Sequence, residues 1–175
     1  MKQLRKLSML ALILIFVMNL TGCVVIPLPG RYYDYDPATI ETAEIYDLRS
    51  EYMEDSSFLE TDLPVCTVPE EQKAEFVAEI GKIEFKMYIL IVLGAVDPSF
   101  YYGDWAVRLN RTDGSYVLLS DGGYVEIFDE NGEHIEFRNY DSIDQERWNA
   151  LLEAYVPQEI LQMSPDQNIT PVDRR

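Results

Sequence analysis

Trp105 to Phe137, WAVRLNRTDGSYVLLSDGGYVEIFDENGEHIEF, decides the fold class. Trp105, Val107 and Leu109 alternate with Ala106, Arg108 and Asn110, the period-two pattern of a strand with one face on a core and one in water. Thr112-Asp113-Gly114 turns the chain, Tyr116 to Leu119 returns, and Asp121-Gly122-Gly123 turns it again. Val125 and Ile127 then alternate with Tyr124, Glu126 and Phe128. Glu130-Asn131-Gly132-Glu133 leads into Ile135 and Phe137. Four strands joined by tight turns make an antiparallel meander.

The register of the last hairpin follows from its loop. A two-residue Asn-Gly loop sets Ile127 opposite Glu136 and Glu126 opposite Phe137. A bulged loop that includes Glu133, with Gly132 left-handed, sets Ile127 opposite Phe137 and Glu126 opposite Arg138. Because a one-residue slip exchanges the faces, the pairing of like with like predicts the bulged loop. The polar face then carries Arg108, Asn110, Glu126, Glu136 and Arg138, explained by cross-strand ion pairing.

Upstream, Ile40 to Leu48 reads as a first strand with Ile45, Tyr46 and Leu48 packing. Arg49 to Pro64 reads as an acidic surface excursion, with Phe58, Leu59 and Leu63 as the residues expected to pin it. Thr67-Val68-Pro69-Glu70 predicts a helix to about Lys82 with Thr67 as cap, and Phe76, Val77 and Ile80 form its buried stripe. Ile83 to Leu93, IEFKMYILIVL, predicts a central strand, with a buried helix as the alternative. Downstream, Ser142 and Gln145 predict a capping pair for a second helix. Trp148, Leu151, Leu152 and Tyr155 face inward along that helix, and Pro157 ends it. The expected class is α+β: an antiparallel five- or six-stranded meander sheet with two helices mainly on one face, over residues 40–157. Residues 158–175 lack periodicity and are expected to be disordered.

The amino-terminal end says where such a domain works. Lys2, Arg5 and Lys6 precede an apolar run from Leu7 to Leu20, the layout of an export signal. At 14 residues the run is short for a hydrocarbon core of about 30 Å, since a helix rises about 1.5 Å per residue. Leu20-Thr21-Gly22-Cys23 resembles the lipobox of bacterial lipoproteins. The resemblance covers the first 23 residues only, and it implies that 1–22 are removed as a signal peptide and that Cys23 carries lipid. An ordinary secretory leader or a signal anchor is the competing reading. The implied place is the extracytoplasmic face of the cell membrane, where two or three acyl chains hold a protein stably and one does not. Residues 23–39, with three prolines and Gly30, then read as a tether. Asp34 and Asp36 within it offer a weak cation pair against a solvated spacer.

Without residues 1–22 the chain has 11 basic and 31 acidic residues, a formal charge of 11 − 31 = −20. Nucleic acid is excluded as a partner for want of clustered Lys and Arg. Cys66 has no second thiol once Cys23 is acylated, so no disulfide framework exists, and a small buried thiol is expected. His134, the only histidine, beside a hairpin turn, makes a poor base for a catalytic triad. No metal and no cofactor are expected, because His and Cys ligands are too few and no glycine pattern cradles phosphate. Paired carboxylates are abundant, which weakens rather than strengthens any one pair as a glycosidase site.

Phe100-Tyr101-Tyr102-Gly103-Asp104-Trp105 supplies the candidate ligand-binding residues, Tyr101, Tyr102 and Trp105. Aromatics beside a carboxylate stack on sugar rings or anchor protein partners. Core packing of Phe100 and Trp105 is the competing reading. The expected function is a non-catalytic, membrane-tethered module that binds a protein or a cell-envelope glycan. An envelope hydrolase using paired carboxylates, or an enzyme inhibitor, is the alternative.

Overall fold

The computed structural model describes residues 23–49, 63–92 and 103–163. Its strands are β1 (Cys23–Pro27), β2 (Ile40–Asp47), β3 (Cys66–Thr67), β4 (Phe85–Lys86), β5 (Tyr88–Val92), β6 (Trp105–Arg111), β7 (Tyr116–Ser120), β8 (Tyr124–Phe128), β9 (His134–Asn139) and β10 (Ser142–Ile143). Helices α1 (Glu70–Ile80), α2 (Gln145–Tyr155) and the short α3 (Gln158–Leu161) complete it. The fold is α+β, with a six-stranded antiparallel sheet in the order β3-β2-β6-β7-β8-β9. The described residues fall into two compact units, one made of 23–29 and 87–92 and the other of the remainder.

In the larger unit, α1 and α2 pack on one face of the sheet. Phe76, Val77 and Ile80 from α1 and Trp148, Leu151 and Leu152 from α2 share a core with Ala43, Ile45, Val107, Leu109, Val117, Leu119 and Val125. These sheet residues are alternate positions of neighbouring strands, as the period-two pattern requires. The opposite face is drier than a one-sided sheet predicts. Tyr46, Leu48, Ala106, Leu118, Tyr124 and Phe128 form a second buried cluster there.

Both expected capping boxes are absent. Thr67 pairs with Glu44 in β3, and α1 begins after Pro69 without a side-chain cap. Ser142 pairs with Lys86 in β10, so Asp144 caps α2 by accepting the Arg147 N–H at 3.3 Å. In each case a strand pairing claims the residue that local sequence offers as a cap.

The run from Ile83 is not a central strand. It breaks at Met87: Phe85–Lys86 pairs with β10, while Tyr88–Val92 pairs antiparallel with Cys23–Pro27 in the smaller unit. Part of the stretch expected as a tether is therefore a strand. Residues 31–39 also pack. Tyr33 stands edge-on to Phe85 at 5.3 Å and shares a 2.6 Å hydrogen bond with the Tyr140 hydroxyl. Asp36 accepts the Ala38 N–H and caps a 3-10 turn at Pro37–Thr39. The first residues beyond Pro157 are ordered too, since Arg49 donates to the Ile160 and Leu161 carbonyls at 2.7 and 3.0 Å. Phe58, Leu59 and the lipobox residues before Cys23 lie outside the described residues.

Candidate functional site

The sheet face opposite the helices carries a row of rings that runs to an exposed edge. Antiparallel pairing aligns Asn110, Tyr116, Phe128 and His134 across β6 to β9, and Glu44, Arg108, Leu118, Glu126 and Phe137 in the next row. The Arg108 guanidinium lies 4.0 Å from the Tyr116 ring centre. Tyr116 stacks on Phe128 at 4.5 Å and 14°. Phe128 meets the His134 ring at 5.2 Å, nearly perpendicular. His134 and Tyr124 each approach Phe137, at 6.1 and 5.6 Å. Aromatic pairs at these separations attract one another beyond the area they bury.

Glu126 is buried within the strip, with Oε2 3.4 Å from His134 Nε2. A carboxylate with little access to water needs polar partners, and the His134 ring nitrogen lies within reach of this one. His134, beside the turn, is exposed and lies near two rings and an acid.

β9 ends the strip and the sheet. Among the described residues it pairs only with β8, and its Ile135 and Phe137 are 63% and 45% exposed. The Tyr140 N–H bonds the Gly123 carbonyl, so by antiparallel alternation Arg138 and Glu136 turn their peptide groups toward β8. Phe137 and Asn139 therefore present theirs outward. The edge offers peptide donors and acceptors beside an exposed ring.

The hairpin leading into β9 departs from the expected register. Gly132 is left-handed at φ +78°, as predicted, but the loop is Glu130-Asn131-Gly132, closed by the Asp129 N–H on the Glu133 carbonyl. The bulge lies farther on, where Ile127 pairs with Glu136 and Phe128 with His134. Ile127 consequently faces Glu136, and Glu126 faces Phe137, the reverse of the expectation. Both sheet faces are apolar, so pairing like with like no longer selects a register. The expected polar face is split: Arg108, Asn110 and Glu126 belong to the ring-bearing side, while Glu136 and Arg138 pair with each other on the other side at 2.7 Å.

Of the residues singled out from sequence, Trp105 is a core residue. It is buried at the start of β6, with the Arg49 guanidinium 4.7 Å from its ring centre, so it is not available to a ligand. Tyr101 and Tyr102 lie outside the described residues, and Cys23 opens β1. Cys66 is half-buried and donates to the Tyr155 carbonyl at 3.3 Å.

Among the described residues Asp121 is the one carboxyl whose burial pushes its pKa up, to about 6, with neighbouring Asp104 adding to the rise. Its Oδ1 accepts the Asp104 and Trp105 N–H groups at 2.8 and 3.1 Å. That oxygen is committed to starting β6. Among the described residues no group of three or more His, Cys, Asp or Glu is placed to hold a metal, and no helix is long and apolar enough to cross a membrane. Compared with known proteins, the chain matches no family model, no curated protein and no solved structure.

Proposed function

We propose that the protein is a lipoprotein, anchored through lipid on Cys23 to the extracytoplasmic face of the membrane, and that it is a non-catalytic module that binds an extended segment of a partner protein along β9. The observation that supports the binding site is the exposed β9 edge, where outward peptide groups adjoin Phe137 and Ile135. Strand addition uses that combination: main-chain hydrogen bonds supply affinity, and alternate side chains supply choice. A free apolar edge is otherwise a liability that proteins cover or blunt.

The anchor reading rests on the Leu20-Thr21-Gly22-Cys23 resemblance and on a formal charge of −20 that keeps the domain off anionic headgroups. A glycan ligand has less support, because Phe128 and Glu126, the ring and the acid at the middle of the strip, are as buried as Trp105. The hydrolase reading has less support, because Asp121, the carboxyl with the raised pKa, is engaged by two backbone N–H groups.

A photo-reactive benzophenone amino acid in place of Ile135, expressed in cells fed a clickable fatty acid, tests both halves. The expected result is fatty-acid label on the protein and one discrete protein adduct that disappears with Phe137→Asp. Adducts to saccharide alone would favour the glycan, and absence of any adduct would remove β9 as the site. Absence of the fatty-acid label would remove the anchor.

A further inference from the structure

The described residues of the smaller unit form a two-stranded antiparallel ribbon in which Cys23 pairs with Val92, Val24 with Ile91, Val25 with Leu90, Ile26 with Ile89 and Pro27 with Tyr88. The Leu28 N–H extends it by bonding the Met87 carbonyl at 2.9 Å. Its sequences, Cys23-Val24-Val25-Ile26-Pro27-Leu28 and Met87-Tyr88-Ile89-Leu90-Ile91-Val92, contain none of the chain's 31 acidic and 14 basic residues. Ile26, Leu28 and Met87 are 42%, 36% and 37% exposed.

We infer that this ribbon is a second membrane contact, lying in the headgroup boundary of the bilayer to which Cys23 is tethered. The inference rests on the lipoprotein reading, because acylation of Cys23 brings the first residue of the ribbon to the lipid surface. Charge selects the same occupant. A surface of anionic headgroups repels an acidic chain, and the ribbon is a charge-free part of it. Length excludes a span: five residues at about 3.3 Å each cover roughly 17 Å, about half of the hydrocarbon core. Backbone chemistry excludes deep burial. Among the described residues each strand of the ribbon has a strand partner on one side only, and hydrocarbon does not tolerate bare N–H and C=O groups. The boundary region satisfies both limits, since water there hydrates the peptide edges while apolar side chains reach about 5–10 Å inward.

The test uses the acylated protein in phosphatidylglycerol and phosphatidylethanolamine vesicles, in a Cys66→Ala background, with an environment-sensitive fluorophore on Ile26→Cys or Met87→Cys and a control on Asn131→Cys. Intact mass first establishes the acyl group, whose absence would overturn the lipoprotein reading and this inference together. With the acyl group present, the expected result is a blue-shifted emission at 26 and 87, quenched by brominated lipids at a depth of roughly 5–10 Å, and no change at 131. Vesicle-bound protein whose probes at 26 and 87 stay water-like would overturn the inference and leave the anchor standing. Probes already dry before vesicles are added would place protein on the ribbon and overturn it as well. Amide exchange of the unsubstituted acylated protein is the check on labelled variants: exchange at 23–28 and 87–92 must slow on vesicles relative to the unacylated chain in buffer.

Discussion

At the residue scale, two side chains carry more than their sequence context suggests. Arg49 grips Asp47 with two donors at 2.9 and 2.7 Å, reaches two carbonyls of α3 and covers Trp105. Both members of the pair are largely buried. Arg49→Met keeps much of the volume but strands the Asp47 carboxylate, so urea unfolding is expected to show a loss of about 3 kcal/mol. Arg49→Lys is expected to recover only part of it, because an ammonium cannot form the fork. Asp121 makes the opposite kind of contribution. Its folded pKa of about 6 lies above the unfolded value of 3.8, so the folded state holds the proton more tightly. The stability linked to this group is full below about pH 4 and is lost as pH rises through 6, on the order of 2–3 kcal/mol in all. Asp121→Asn keeps an oxygen for the Asp104 and Trp105 N–H groups and cannot ionise. Its unfolding free energy is expected to lack that decline between pH 4 and 6 when both proteins are titrated by chemical denaturation.

At the element scale, the meander shows how turns and edges differ in what they demand. Gly132 and Gly123 both have positive φ, +78° and +90°. A Cβ on Gly132 meets nothing within 4 Å, whereas one on Gly123 would sit 2.3 Å from the Tyr140 carbonyl oxygen. Gly132→Ala is therefore expected to cost about 1 kcal/mol, the left-handed penalty alone. Gly123→Ala must also displace the backbone after β9, and thermal melts should show at least twice the loss. The strip divides in the same way: Phe128→Ala empties a buried site and is expected to cost about 3 kcal/mol. Phe137→Ala, on the edge, should change stability by less than about 1 kcal/mol while weakening strand addition at β9. The meander's turns and strands were legible because short-range chemistry writes them directly. The pairing of Glu126 with Phe137 was not, because a bulge at the far end of the loop shifts the register without altering local propensity.

At the scale of the whole molecule, the sheet and its helices are assembled from residues after Cys23. Cys23→Ser is expected to leave the melting temperature of the larger unit unchanged while moving the protein from the membrane to the soluble fraction. The sequence by itself determined the α+β class, the meander and its turns, and the inward stripes of α1 and α2, because periodicity reports which side of an element is dry. It also carried the Leu20-Thr21-Gly22-Cys23 resemblance, from which the place of action is proposed. Only the tertiary structure decided that Trp105 is interior and that Thr67 and Ser142 belong to strands. The same holds for the division of residues 83–92 between two units and for the row of rings from Tyr116 to Phe137. In each case the outcome depends on a partner distant in the chain. Local propensities worth a few tenths of a kcal/mol per residue yield to the burial of a whole side chain, worth about 2 kcal/mol, or to a completed strand pairing.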